Sequence, residues 1–300
     1  MINFQDSIYV IKWFLSFLII GICFLPLTFS LFKEFKDKGY IFSKIIGIGI
    51  ISYFLFIFGL LKFLKFSELS ILITLSLFFT INYFFNKYKR IDTLSILKKN
   101  YKLFIFEELI FLISIFFWVF VRSNLPDIHG LEKYMDFGFI NSILRADYFP
   151  PKDMWYAPLS INYYYFGHLI TAVLIKLTQI PSHISYNLML STLFALTFTA
   201  SFSIGINLFD RIKTSRGMGI LGLITASLVT FSGNLTTIYS FFKSYVNENP
   251  VPFWNLQFLP FSFPNGYWYP NATRFIPFTI HEFPLYSFVV ADLHGHVLDI

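Results

Sequence analysis

Three short stretches of the chain hold residue types that do chemistry. In Leu131–Ala146 (LEKYMDFGFINSILRA), Glu132 and Asp136 stand four residues apart. On a helix that spacing puts both carboxylates on one face, one turn apart. Such a pair can act as a general base with a hydrogen-bond or metal partner, and closeness to each other and to lipid raises at least one pKa. A solvated acidic face, with one carboxylate paired to a nearby lysine, fits the same spacing. In Ile161–Leu169 (INYYYFGHL), Tyr163, Tyr164 and Tyr165 precede His168. Tyrosines suit the aromatic belt at a membrane surface. A histidine inside an apolar run faces a cavity or a partner rather than lipid. A core histidine with satisfied hydrogen bonds also fits. The third stretch is Asp292-Leu-His294-Gly-His296, preceded by His281 and Glu282. One carboxylate and two imidazoles, Asp292, His294 and His296, form a plausible set for a divalent metal ion. Hydrogen bonding, with Asp292 holding His168 or His296 in one tautomer, uses the same atoms.

These residues must be positioned by a chain with little polar surface. It has 300 residues, 56% hydrophobic and only 13% charged, against about 25% charged in a soluble domain. Mean hydropathy is +0.63. That excludes a cytosolic enzyme, a disordered tail and a nucleic-acid-binding module, so membrane lipids and no nucleic acid are the expected partners. The net charge of +6 then reads as lysine and arginine in loops facing the cytoplasm and anionic headgroups. The single cysteine, Cys23, lies in an apolar run, so there is no disulfide framework and no cysteine-based metal site.

A spanning helix needs about 20 mostly apolar residues. Ser7–Phe32, with Pro26 inside it, Gly39–Leu64 and Glu68–Asn86 meet this. Lys87–Lys102 carries six basic residues against Asp92 alone and is placed in the cytoplasm. Phe104–Val121 runs outward, with Glu107 and Glu108 expected at the interface beside Lys102. Further apolar segments are Asn162–Thr178, Ser185–Phe209, Gly217–Phe242 and Phe283–Ile300. The fold class is therefore an all-α polytopic transmembrane bundle of about eight apolar segments, with N-terminal spans over 1–103 and a membrane core over 104–300. Two long loops interrupt the core, 122–159 and 243–282. The first should carry a surface-lying helix over Leu131–Ala146. A short basic loop with Arg211, Lys213 and Arg216 belongs inside by charge, which favours one net crossing between Asn162 and Phe209 and puts both long loops outside.

Taken together, LEKYMDFGFINSILRADYFPP, NYYYFGHL and FPLYSFVVADLHGHVL resemble the YYY family of polytopic membrane proteins, over about Glu107 to Ile300. The family often has proline where Gly295 stands, and its members are usually longer, so the resemblance implies an N-terminal piece. That family is in turn similar to the GT-C glycosyltransferases, which use polyprenyl-phosphate sugars. The resemblance implies a GT-C-like core in which Asp136, supported by Glu132, deprotonates an acceptor hydroxyl. The lipid phosphate would leave beside cations such as Arg122, Lys133 or Arg145, or a metal, and Tyr163, Tyr164, Tyr165 and His168 would line the donor cavity. A transporter or a non-catalytic membrane protein is the alternative.

Overall fold

The computed structural model describes residues 4–211, 217–234, 241–243, 251–259, 272–274, 278–298 and 300. Among them the regular structure is helical, and the only β pairings are isolated bridges such as Lys152 with Ser160. Helices α1 (Phe4–Leu31), α2 (Phe42–Leu60), α3 (Glu68–Lys89) and α4 (Thr93–Arg122) follow one another closely. The side chains Val10, Trp13, Phe17, Ile20 and Phe24 recur every three or four residues and are buried, which gives α1 one inward face. Ser67 and Asp92 start α3 and α4 by accepting the amides of Ser70 and Ser95, at 3.2 and 3.0 Å. Then come α5 (Lys133–Arg145), α6 (Phe166–Thr178), α7 (Ser182–Arg211), α8 (Met218–Phe231), α9 (Pro284–Val290) and α10 (Gly295–Leu298).

Five of these are long and apolar enough to cross a membrane: α1, α2, α3, α4 and α7. The expected count of eight is corrected in three places. The segment from Asn162 becomes helical only at Phe166, and α6 has 13 residues, about 20 Å of helix against a hydrocarbon core of about 30 Å. Helix α8 has 14 residues. The last apolar stretch stops at Ala291, which adopts a left-handed conformation, and resumes four residues later as α10. Hydropathy averages over the polar Asp292 and His294 and does not register that break.

Ring and side-chain contacts give the directions. Helices α4 and α7 are antiparallel, with Phe106 on Phe202, Trp118 stacked on Phe194 and Arg122 bonded to Asn187. Helix α1 runs alongside α7 in the same sense: Trp13 Nε1 donates to Thr192, and Asp37 beyond its end meets Asn207. Helix α6 starts against Phe56 near the end of α2 and finishes with Lys176 over Phe66, in the turn that follows α2. It therefore begins and ends at one end of the bundle, and the stretch from Asn162 to Phe209 makes one net crossing. The basic residues Lys213 and Arg216 lie outside the described residues.

Glu107 and Glu108 do not sit beside Lys102. Because α4 begins at Thr93, both fall in its middle. Glu107 is fully buried, and Glu108 pairs with Lys44 of α2.

The chain forms two compact units, Met1–Val229 with Asp292–Ile300, and Thr230–Ala291. The boundary expected at 103/104 falls inside α4. In the second unit, Lys243 and Leu259 donate their amides to the carbonyls of Gln257 and Phe241, at 2.7 and 2.8 Å. Much of the second long loop (244–250, 260–271 and 275–277) lies outside the described residues.

Candidate functional site

The candidate residues meet where α5 packs on α6 and receives the segment 292–298, all within the first unit. Asp136 lies in the first turn of α5 and is fully buried. Its Oδ1 faces two imidazoles, His168 Nε2 at 3.1 Å and His294 Nδ1 at 3.3 Å. The same His294 nitrogen lies 3.1 Å from Glu132 Oε2. A nitrogen held between two carboxylates carries its hydrogen, which leaves Nε2 of a neutral His294 as an acceptor. Nε2 faces the hydroxyl of Tyr164 at 2.6 Å and that of Tyr163 at 3.2 Å. Tyr163 in turn donates to Tyr164 at 2.6 Å, and the two rings stack with centroids 4.0 Å apart. The hydrogen bond to Tyr164, then burial, push the Tyr163 phenol up to about 12. A continuous polar path thus leads from an enclosed carboxylate to exposed groups: Tyr163, Tyr164 and Glu132, whose side chain is 55% exposed. Two buried atoms on this path, Asp136 Oδ2 and His168 Nδ1, have no hydrogen-bond partner.

A second pair holds the segment in place. Lys133 Nζ lies 2.9 Å from Asp292 Oδ1, with both side chains nearly buried. Burial pushes the Asp292 carboxyl above its ordinary range; the hydrogen bond and charge of Lys133 oppose this, and Asp136 adds to it. The next amide, Leu293 N–H, donates to the buried Tyr186 hydroxyl at 2.9 Å. Arg122 donates through Nε and Nη2 to Asn187 Oδ1 at 3.0 and 2.9 Å. It lies close enough to Asp292 and Asp127 to feel their charges. Arg122 also lines a cavity of about 760 Å³ with Tyr9, Val119, Tyr134, Phe137 and Leu188.

The structure therefore brings together Glu132, Lys133, Asp136, Tyr163, Tyr164, His168, Asp292 and His294. Other expected members stand apart. Arg145 is exposed at the far end of α5, about 13 Å of helix from Asp136. Tyr165 packs its ring on Phe56 and, with Tyr163, Tyr164 and Phe166, lines an aromatic cleft of about 390 Å³. Burial there pushes its phenol up to about 12. His296 lies beyond His294, ring centroids 5.5 Å apart. The metal set Asp292, His294 and His296 is not assembled, because Asp292 turns to Lys133 while His294 turns to Glu132 and Asp136. Among the described residues, no group of three or more His, Cys, Asp or Glu has an arrangement that could hold a metal ion. Of the two carboxylates, Asp136 is enclosed and Glu132 is exposed. Tyr186 and Asn187 escaped sequence reasoning, since a tyrosine and an asparagine in an apolar helix carry no local sign of partners 107 and 65 residues away.

The family described as "Uncharacterized membrane protein (DUF2298)" matches this chain over residues 50–300. No curated protein and no solved structure matches it.

Proposed function

The chain belongs to the DUF2298 family of uncharacterised membrane proteins, and from that premise we propose that it is a glycosyltransferase of the cell membrane that takes its sugar from a polyprenyl-phosphate donor. The carrying observation is the Glu132–His294–Asp136 arrangement, an exposed carboxylate held by a histidine that a buried carboxylate orients. The likeness to the YYY and GT-C families supports the same reading by analogy. Glu132 takes the proton of an acceptor hydroxyl. The oxygen attacks the anomeric carbon, and the bond from that carbon to the phosphate oxygen breaks. The departing lipid phosphate is stabilised by the positive charge of Lys133 and Arg122. Asp136 acts through His294 and His168, which it positions. No step runs through a metal ion; a divalent ion at Asp292 would require the Lys133–Asp292 pair to open.

The test is release of polyprenyl phosphate from lipid-linked sugars by the full chain in lipid nanodiscs, with a panel of hydroxyl acceptors. Glu132→Gln should lower the rate about 10²–10⁴-fold, the usual contribution of a general base. Asp136→Asn should lower it too and shift the pH profile, because His294 and His168 lose the negative charge beside them. Turnover absent with every donor would favour the alternative, a transporter or non-catalytic membrane protein. An unimpaired Glu132→Gln would remove the assigned base.

A further inference from the structure

A second buried polar cluster sits at the opposite end of the bundle, and the chemistry above does not use it. Asp37, in the turn between α1 and α2, is fully buried. It accepts from the Ser203 hydroxyl, from Asn207 Nδ2 at 2.8 Å and from the Gly39 amide at 3.2 Å. Lys44 of α2 is buried and pairs with Glu108 of α4. The unmatched member is Glu107. It is fully buried, and neither carboxyl oxygen receives a hydrogen bond from a donor. The group its carboxyl meets is the carboxyl of Asp37.

Charge makes this arrangement incomplete. Among the described residues, the cluster holds three carboxyls, Asp37, Glu107 and Glu108, and one ammonium, Lys44, which Glu107 and Glu108 face. The other groups facing them are neutral: the Tyr40 ring lies 5.1 Å beneath Lys44 Nζ, and Ser203 and Asn207 come from α7. Lys36, next to Asp37 in the chain, directs its ammonium outward to Asp210 in an exposed pair at 3.3 Å. Two buried carboxyls held against each other, with no donor to Glu107, repel unless a positive charge lies between them. Asp37 already has three donors, so the deficit falls on Glu107.

We propose that Asp37 and Glu107 form a monovalent-cation site, occupied by one positive charge shared between the two carboxyls. Two sources supply that chemistry, a proton or an alkali ion such as Na⁺. Because the site joins the α1–α2 turn to α4 and α7, occupancy stabilises the packing of those elements. It is independent of the transferase reading, which concerns the other end of α4.

The experiment compares thermal unfolding of the full chain and of Glu107→Gln in nanodiscs, in Na⁺ or in choline at equal ionic strength, across a pH series. An alkali-ion site predicts a melting temperature that rises with Na⁺ at fixed pH. A proton site predicts one that rises as pH falls, without a Na⁺ effect. In either case Glu107→Gln, which keeps shape and removes the charge, loses the dependence. Should that variant fail to fold, infrared difference spectra of the unsubstituted protein decide: Na⁺ perturbs a carboxylate band, or acidification produces a buried carboxylic-acid band. Unfolding and spectra indifferent to both ions overturn the proposal, as does a Glu107→Gln variant with the parent's ion dependence.

Discussion

At the scale of single residues, the Lys133–Asp292 pair is where charge and fold are most tightly linked. Removing one partner of a buried ion pair typically costs about 3–5 kcal/mol, because the other charge is left without compensation. Lys133→Met should therefore destabilise the chain by an amount in that range at neutral pH. The loss depends on pH in a definite direction. Burial raises the Asp292 carboxyl above its ordinary range, and without Lys133 the main opposition to that is lost. Between the ordinary carboxylate range and the raised value the folded state binds more protons than the unfolded one, so stability falls as pH rises through that window and returns as pH falls. Unfolding of Lys133→Met followed from neutral to acid pH should show the deficit shrinking on acidification. A deficit constant across the series would mean that the lysine acts by packing alone. The same logic explains why Asp136 tolerates enclosure: two imidazoles share one of its oxygens, and each can supply a donor.

At the scale of elements, the joint between α5, α6 and the segment 292–298 decides whether the site exists. Gly295 opens α10 directly against Tyr164: a Cβ there would lie 2.6 Å from the Tyr164 ring. Gly295→Ala must push that ring away from His294 and break the 2.6 Å contact between them. Overpacking of this kind costs about 1–3 kcal/mol. In a Tyr164→Ala background the clash has no object, so the cost of Gly295→Ala should largely vanish; a double-mutant cycle on unfolding free energies measures this, and strict additivity would refute it. This joint also marks the limit of what the amino-acid order reveals. Helices α1 to α4 and α7 were legible because each is an apolar run long enough to cross the hydrocarbon. The helical pattern around Glu132 and Asp136 was legible from its spacing. The fates of α6 and of the last segment were not, since an apolar run says nothing about where a left-handed Ala291 will turn the chain. The partners were hidden for a related reason: Lys133 with Asp292, and Tyr186 with Leu293, are contacts across more than a hundred residues. Glu107 and Glu108 were misplaced because the N-cap Asp92 starts α4 well before the apolar run does.

For the whole molecule, helix directions place the two polar clusters at opposite ends of one bundle. From Glu107 to Arg122, α4 rises about 22 Å, most of a hydrocarbon core of about 30 Å. The turn holding Asp37 and the α3–α4 connection lie at one end; the loop from Ser123 to Pro181, with the Asp136 site, lies at the other. By the charge rule, the lysines that precede and open α4 predict that the first end faces the cytoplasm, which would put the proposed transfer on the outer side and the proposed cation site near the inner one. Single cysteines test this cleanly, because the native Cys23 is buried and free. Lys99→Cys and Lys152→Cys both replace exposed side chains. In sealed, right-side-out vesicles a membrane-impermeant maleimide should label Lys152→Cys at once and Lys99→Cys only after permeabilisation. Labelling of both before permeabilisation would mean that α4 does not cross. The reverse pattern would keep the bundle and turn it over, moving the Asp136 site to the cytoplasmic side, where an acceptor would have to be a cytoplasmic one.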